Sequence, residues 1–247
     1  MLQHEIPFQW PAPDPVVSGF RSDGNAPGGI FVHGFRSHCD GEKAISLARH
    51  AARRGRFWIR YNQRNCGLDN AAFANFTVGQ SVEDLSSILD SLGHPVILIG
   101  SSLGAVISLQ AAQRRPQTIR GLLLIAPAFR FVSRHFAALP DGTIDLWRTR
   151  GVLHFPDYYQ GGEFPLGYGF YEDALHYADL GPWKFDFPVT ILHGEHDELL
   201  PSEDSRELQK MILSPSVTLD IVPDGDHRLV DAIPLMCEKL DSLWKSV

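Results

Sequence analysis

Cysteine is scarce in this sequence. Among 247 residues there are three, Cys39, Cys66 and Cys237, and they are far apart in the chain. An odd number of cysteines without Cys-x-x-Cys spacing is typical of neither a disulfide framework nor a zinc site built on thiolates. We therefore expect reduced thiols, no metal ion or other cofactor, and a cytoplasmic protein.

Runs of basic residues are missing as well. Lys and Arg number 22 against 29 Asp and Glu, which gives a formal net charge of −7, and no basic run exceeds a pair such as Arg53–Arg54. Proteins that hold nucleic acid or anionic lipid without sequence specificity need a strongly basic surface. The charge balance therefore argues against nucleic acid and against an anionic membrane surface as partners.

Uninterrupted hydrophobic segments are also short. The first fifteen residues contain four prolines together with Glu5 and Asp14, and they have neither the basic nor the apolar region of a secretory signal peptide, so we expect none. The longest stretch without a charge, Val96–Gln113, has 18 residues, but glycine, serine and glutamine interrupt it. A buried strand followed by a buried helix is a better interpretation of this stretch than a membrane span.

Short apolar runs alternate with helical patterns along most of the chain, which is typical of an α/β fold with a mostly parallel sheet flanked by helices. The predicted strands are Ile30–His33, Phe57–Tyr61, Val96–Gly100, Leu122–Ala126, Val189–His193 and Val217–Val222, with Val16–Phe20 as an antiparallel edge strand. The predicted helices are about Glu42–Arg54, Val78–Leu92, Leu103–Arg115, Glu203–Met211 and Ala232–Trp244.

The segment 129–187 breaks this alternation. No convincing strand is predicted between Ala128 and Pro188, and 15 of the 26 aromatic residues fall in this segment. We predict a small cap inserted over the sheet, with residues 1–128 and 188–247 forming the core. Aromatic rings in the cap would either line a pocket for an apolar acyl group, with Trp147 and Tyr168 as candidates, or only anchor the cap by packing.

A candidate nucleophile lies between a predicted strand and a predicted helix. Gly100-x-Ser102-x-Gly104 follows the apolar run Val96–Gly100 directly, which is the context that the Gly-x-Ser-x-Gly motif requires. The serine of this motif sits on a sharp turn with a strained backbone, and side chains two residues before and after it would collide with the turn. We therefore predict Ser102 as a catalytic nucleophile.

Two backbone N–H groups are candidates for an oxyanion hole. One donor in such folds belongs to the residue after the nucleophile, here Leu103, and the other comes from the loop after an earlier strand. The segment His33-Gly34-Phe35 follows the first core strand, so the N–H of Phe35 is the second candidate. We expect His33 to order this loop rather than to act chemically.

A base and an acid should follow the serine in the chain, in the order serine, acid, histidine. Asp197 follows the strand Val189–His193, and His227 follows the strand Val217–Val222. Because the carboxyl ends of parallel strands meet at one edge of a sheet, both side chains can reach Ser102. His227 would take the serine proton, and Asp197 would orient the imidazole and stabilise its charged form.

Other assignments of the acidic residue remain open at this stage. Glu195 is an alternative acid, and Asp226 is adjacent to the histidine, although its side chain should point elsewhere. The group His193, Glu195, His196 and Asp197 also has a superficial likeness to a metal site. It lacks a helical i, i+4 pair of ligands and a remote third ligand, so we do not predict a metal there.

Together these residues resemble the α/β-hydrolase family of enzymes with a serine nucleophile, over the chain from about Ile30 to its end. The segments Gly100–Gly104, His193–Asp197 and Asp226–Arg228 are similar, more narrowly, to a small-capped branch. That branch includes mitochondrial acyl-protein thioesterases that also cleave acyl glucuronides, and bacterial relatives of the serine aminopeptidase type. The sequence has no transit-peptide composition, so a mitochondrial location is not expected from it. Where many relatives have Arg-Gly-x-Gly after the second core strand, this chain has Arg64-Asn65-Cys66-Gly67, which brings Cys66 towards the expected pocket.

The resemblance implies hydrolysis of carboxylic esters or thioesters through an acyl-enzyme. Ser102, Asp197 and His227 carry over as nucleophile, acid and base, and Phe35 and Leu103 as oxyanion donors. The same three side chains would also serve the cleavage of a peptide, lactone or carbon–carbon bond, because the shape of the pocket decides the substrate. A ligand-binding protein that kept only the fold is a third hypothesis, and the intact set of three residues argues against it.

Overall fold

The computed structural model describes residues 5–10, 17–66, 70–157, 161–177 and 181–246. Its strands are β1 (Ile6–Trp10), β2 (Val17–Ser22), β3 (Asn25–Val32), β4 (Arg56–Asn62), β5 (Val96–Ser101), β6 (Ile119–Ile125), β7 (Val152–Pro156), β8 (Glu163–Gly167), β9 (Trp183–Lys184), β10 (Val189–Gly194), β11 (Ile212–Leu213) and β12 (Val217–Val222). Its helices are α1 (Glu42–Arg53), α2 (Asn70–Phe73), α3 (Val78–Ser91), α4 (Leu103–Arg114), α5 (Phe131–Ala137), α6 (Thr143–Arg150), α7 (Tyr168–Leu175), α8 (Ser202–Met211) and α9 (Ile233–Lys245), with one turn of 3-10 helix at Pro116–Thr118.

The main sheet carries the predicted core strands. Within the described ranges it has eight strands in the order β1-β2-β4-β3-β5-β6-β10-β12. The six from β4 to β12 in this order pair in parallel, and β1 and β2 are antiparallel. All of β5 is buried, which explains why a parallel strand covered on both faces appears in the sequence as a continuous apolar run.

The antiparallel edge differs from the prediction. The strand expected at Val16–Phe20 runs from Val17 to Ser22, and Val16 lies outside the described residues. It is not the edge strand, because β1 pairs with its outer side. Pro7 lies in β1, and a proline is tolerated at a sheet edge but weakens the sequence signal of a strand.

The five predicted helices are present as α1, α3, α4, α8 and α9, with ends that differ by a residue or two. Helix α4 is buried on almost every side, because it follows the central strand and is covered in turn by other elements. Thr77 caps α3, since its hydroxyl accepts a hydrogen bond from the Gln80 N–H at 3.2 Å. No helix in the described part of the chain is long and apolar enough to cross a membrane.

The expectation of no strand between Ala128 and Pro188 is wrong. Strands β7 and β8 form an antiparallel hairpin there, and β9 pairs with β11. Each hairpin strand contains a proline, Pro156 or Pro165, which weakens the sequence signal of a strand. The division of the chain into a core and a cap at residues 129 and 187 stays a prediction.

Candidate active site

The turn between β5 and α4 presents Ser102. Its backbone has φ 55° and ψ −120°, a conformation that strains any residue with a Cβ atom. The hydroxyl lies at the carboxyl edge of the central strand. Helix α4 begins at the next residue, so the N–H of Leu103 has no acceptor within the helix.

The two glycines of the motif are required by close backbone contacts. A Cβ atom on Gly100 would lie 2.5 Å from the Cα of Ala105, and one on Gly104 would lie 2.1 Å from the carbonyl oxygen of Val32. Both distances are far inside van der Waals contact. The collision expected from the sequence is therefore present on both sides of Ser102.

The loops after β10 and β12 bring an imidazole and a carboxylate to this serine. The Nε2 of His227 lies 3.1 Å from the Oγ of Ser102. The Nδ1 of the same ring lies 2.7 Å from the Oδ2 of Asp197. The structure therefore brings the three predicted residues together in one hydrogen-bonded chain, from hydroxyl to imidazole to carboxylate.

The carboxylate of Asp197 is fully buried and richly hydrogen-bonded. Its Oδ1 accepts from the backbone N–H groups of Leu199 at 3.0 Å and Leu200 at 2.9 Å. Burial by itself would raise the pKa of Asp197, but hydrogen bonds from His193 and His227 and the nearby imidazole charge hold that pKa well below its usual range. Asp197 is therefore ionised whenever the protein is folded near neutral pH.

His193 contacts the carboxylate of Asp197, a contact that was not predicted from the sequence. Its buried Nε2 lies 3.2 Å from the Oδ2 of Asp197 and 2.9 Å from the carbonyl oxygen of Leu200. Because a carbonyl oxygen can only accept, Nε2 carries the hydrogen. The other ring nitrogen then accepts from the hydroxyl of Ser205 at 2.7 Å. His193 lies at the end of a buried strand, four residues before Asp197, and this position could have predicted from the sequence that the two side chains are in contact.

The alternative acids do not contact the imidazole. Glu195 is exposed and its carboxylate faces the backbone N–H of Asp224 at 3.4 Å. Asp226 accepts from the N–H of Leu229 at 2.7 Å. His196 is exposed, with its Nδ1 3.9 Å from the carboxylate of Asp224, so it points away from buried His193 and the two do not converge as metal ligands would.

The loop after β3 lies directly against the nucleophile. A Cβ atom on Gly34 would be 3.0 Å from the Cβ of Ser102 and 3.6 Å from its Oγ, so only a glycine lets the backbone approach this closely. The next residue is Phe35, whose N–H is the predicted donor. The loop geometry is compatible with that role, and the role itself stays a prediction.

His33 orders this loop from within, as expected. The N–H of Gln63 donates to its Nε2 at 3.2 Å, which leaves the hydrogen on Nδ1, and Nδ1 donates to the carbonyl oxygen of Gly34 at 2.9 Å. Burial lowers the pKa of His33 to about 4. The ring is therefore neutral at physiological pH.

Cys66 packs beneath the same loop. Its Sγ lies 3.9 Å from the carbonyl oxygen of Gly34. Burial raises the pKa of Cys66 to about 12, against the smaller opposing effect of hydrogen bonds from the backbone of Arg36 and Ser37. The thiol therefore stays protonated and supports the loop from below. Gly67, the next residue of the divergent segment, lies outside the described residues.

The aromatic residues of segment 129–187 belong to two groups. Trp147 is fully buried, and its Nε1 donates to the carbonyl oxygen of Leu166 at 2.8 Å, so this ring anchors the segment. Phe131 is only half-buried and its ring centroid is 6.0 Å from that of Phe35. Tyr168 accepts from the Nε of Arg148 at 2.9 Å. The rings of Phe164 and Phe170 also lie beside Phe35, at 5.7 and 5.4 Å between centroids, but both are buried, so Phe131 is the half-buried ring of the three.

The sequence and the fold of this chain are both similar to those of known proteins. A profile of the alpha/beta hydrolase family matches residues 30–234. The chain belongs to the alpha/beta hydrolase family. This confirms the fold class and the resemblance inferred from the motifs.

Curated relatives within this family carry the name palmitoyl-protein thioesterase ABHD10, mitochondrial. The mouse (Mus musculus) protein is 34% identical over 218 residues, which cover 87% of this chain and 73% of the relative. The human (Homo sapiens) protein is 30% identical over 225 residues, which cover 89% and 74%. These names support hydrolysis of esters or thioesters, the reaction class expected from the sequence.

Two solved structures are similar over almost the whole chain. Mouse alpha/beta hydrolase domain-containing protein 10 has a TM-score of 0.87 at 32% identity and covers 98% of this chain and 99% of its own. A putative hydrolase from Agrobacterium vitis S4 has a TM-score of 0.87 at 25% identity, with coverage of 97% and 98%.

The expectation of a cytoplasmic protein is wrong. The curated relatives are named as mitochondrial proteins, which points to the mitochondrion rather than the cytoplasm. The expectation rested on cysteine usage and on the composition of the first residues, and reduced thiols do not distinguish between these two compartments.

Proposed function

We propose that Ser102, His227 and Asp197 form a catalytic triad that cleaves esters and thioesters of apolar acyl groups through an acyl-enzyme. The observation that carries this proposal is the hydrogen-bonded chain in which Nε2 lies 3.1 Å from the serine Oγ and Nδ1 lies 2.7 Å from a carboxylate oxygen. A serine is a weak nucleophile until an adjacent base takes its proton, and this chain supplies both the base and the group that orients it.

In the acylation step the Oγ of Ser102 attacks the acyl carbonyl carbon while Nε2 of His227 takes the hydroxyl proton. Asp197 stabilises the imidazolium that forms. The tetrahedral intermediate then collapses, and the imidazolium gives its proton to the departing alcohol or thiol. A water molecule then attacks the acyl carbon of the acyl-enzyme while the same imidazole takes its proton. The bond between Oγ and the acyl carbon breaks, and the imidazolium returns the proton to the Oγ of Ser102 as the acid leaves.

The N–H groups of Phe35 and Leu103 are proposed to bind the negative oxygen of that intermediate. Leu103 offers the first N–H of α4, where the helix dipole also favours negative charge. The backbone before Phe35 lies against Ser102. Two such donors aimed at one oxygen supply several kcal/mol of transition-state stabilisation, on the order of 3 kcal/mol each.

The proposed substrates are thioesters that join a long acyl chain to a protein, the class named in the relatives. The aromatic residues of segment 129–187 support an apolar acyl group, because Phe131 stands beside the candidate oxyanion loop. An acyl chain packed along such rings is held by burial of apolar surface.

The test combines labelling with a substrate series. A fluorophosphonate probe should label the wild-type protein and leave Ser102→Ala unlabelled. Hydrolysis is then compared for p-nitrophenyl esters of graded length, S-acyl peptides and a matched amide, with and without EDTA. Labelling of Ser102→Ala, or loss of activity in EDTA with recovery on adding Zn²⁺, would contradict the proposal.

A further inference from the structure

Arg36 follows the proposed oxyanion donor, and its side chain is largely buried. Its backbone lies in the left-handed region at φ 53°, which is unfavourable for a residue other than glycine, asparagine or aspartate. Such a conformation persists only where the surrounding contacts hold it. The contacts of the side chain are therefore part of what sets the direction of the adjacent peptide groups.

The guanidinium group of Arg36 bonds to the hairpin of segment 129–187. Its Nη2 lies 2.8 Å and its Nε 3.3 Å from the Oδ2 of Asp157, and the two side chains are only 6% and 3% exposed. Asp157 follows β7, and its backbone is itself fixed, since its N–H donates to Gly162 and its carbonyl accepts from Gly161, both at 2.9 Å. A buried charge pair of this kind resists displacement, because separating it leaves a charge without compensation.

The side chains of Phe35 and Arg36 also contact the same two aromatic rings. The guanidinium carbon is 5.0 Å from the ring centroid of Phe73 and 5.1 Å from that of Phe164. The ring of Phe35 is 5.0 Å and 5.7 Å from the same two centroids. Phe73 belongs to the core and Phe164 to the hairpin, so consecutive residues of the loop are held between the two.

From these contacts we infer that Arg36 and Asp157 are positioning residues that hold the Phe35 N–H in line with the oxyanion, so that the hairpin completes the oxyanion hole. The inference rests on the proposed function of Ser102 and deepens it. Arg36 does not touch the reacting atoms. It acts through Phe35, the residue before it in the chain: the ion pair and the aromatic contacts fix Arg36, and through it the Phe35 residue whose N–H is the donor.

The inference predicts a specific kinetic effect. Displacement of a catalytic group by about 1 Å lowers rates by up to 10²-fold, so Arg36→Met and Asp157→Asn should lower kcat by about 10- to 100-fold. The KM for a short acetate ester should stay within about twofold, because its acyl group does not reach the hairpin. The inhibition constant of phenylboronic acid, whose serine adduct places an oxygen in the oxyanion hole, should rise by a similar factor as kcat falls.

The matched control is Arg134→Met. This change removes another ion pair between segment 129–187 and the core, since Arg134 of α5 contacts Asp204 of α8 at 2.5 Å, but it leaves the oxyanion loop alone. Its kcat and boronate inhibition constant should stay within about twofold of the parent. Asp204 is buried, so the stability lost with its arginine is measured separately by urea denaturation. Asp157→Asn and Arg36→Lys change shape least, so they decide the question if Arg36→Met does not fold.

The outcomes separate this inference from the proposed function. If Ser102→Ala is inactive while folded Asp157→Asn and Arg36→Lys keep the parent kcat and boronate inhibition constant, or change KM alone, the positioning role is overturned and the triad stands. If Ser102→Ala keeps the parent activity, the proposed function fails first. A fall in kcat matched by weaker boronate inhibition, absent in Arg134→Met, supports the inference.

Discussion

Ser102 occupies its turn with a φ of 55°, and alanine would bear the same backbone strain. Ser102→Ala therefore removes the proposed nucleophile without creating a cavity or a new strain. We expect hydrolysis to fall by at least about 10³-fold, while the free energy of unfolding changes by no more than about 0.5 kcal/mol. Ester hydrolysis and urea denaturation measure the two quantities.

Ser108→Ala serves as the control for this change. The hydroxyl of Ser108 donates to the carbonyl oxygen of Gly104 within helix α4, at 2.7 Å, so its loss should leave the rate unchanged. Parent-like activity in Ser102→Ala would show that another residue is the nucleophile.

The carboxylate of Asp197, which contacts the Nδ1 of His227 at 2.7 Å, is the proposed acid of the triad. Asp197→Asn keeps the shape but cannot stabilise an imidazolium, and it can favour the wrong tautomer, so we expect kcat to fall by about 10³- to 10⁴-fold. Glu195→Gln should be silent, because Glu195 is exposed and does not contact the ring. The reverse result in steady-state kinetics would show that the acid is Glu195.

The segment between β6 and β10 contains rings with two different roles. Trp147→Ala should destabilise the protein by about 3–5 kcal/mol, because it empties a fully buried site in that segment. It should leave the preference for acyl length unchanged, since the ring packs among neighbours such as Phe136 and Phe155. Thermal unfolding and an ester series from acetate to decanoate measure both effects.

Phe131→Ala, at the first residue of α5, is the change to compare with Trp147→Ala. If this half-buried ring contacts the acyl chain, each added methylene should stabilise the transition state in the wild type by up to about 0.8 kcal/mol. The value of kcat/KM should therefore rise with acyl length until the pocket is full. The variant should shift that optimum more than it slows acetate hydrolysis. A flat profile in the wild type would count against an acyl pocket and leave the triad untouched.

Acid stability is a property of the molecule as a whole, and the buried ring of His33 contributes to it. Burial lowers the pKa of His33 to about 4 in the folded protein, from 6.5 for an exposed histidine. Between these values the unfolded chain binds a proton that the folded chain does not, so the stabilisation is complete above pH 6.5 and is lost as the pH falls towards 4. The loss amounts to about 3 kcal/mol.

The variant His33→Gln should flatten this pH dependence, and His176→Gln, at an exposed position, is the control that should not. Urea unfolding between pH 4 and 7 gives the slopes. The depressed pKa of Asp197 adds acid lability only below about pH 4, where the unfolded carboxyl takes up a proton. It therefore adds little to the slope between pH 4 and 7, and a slope that His33→Gln leaves intact would contradict the assignment.

Local features of the chain were sufficient to predict much of this molecule. The parallel strands are covered on both faces and therefore appear as apolar runs, and the turn at Ser102 is marked by two glycines that its own geometry requires. Asp197 and His227 each follow a parallel strand, which predicted that both lie at the same edge of the sheet. Short strands with prolines, such as β1, β7 and β8, escaped prediction because their partners rather than their composition make them strands.

Contacts between distant residues required the folded chain. Asp157 is 121 residues from Arg36, and no motif or chain order connects the two. The exclusion of Glu195 as the acid, the buried imidazole of His193 beside Asp197, and the ion pair that joins the hairpin to the oxyanion loop all depend on which side chains share one buried volume. Local periodicity indicates whether a segment is a strand or a helix and which face of it is buried. Burial and hydrogen bonding across the fold determine which charged side chains meet.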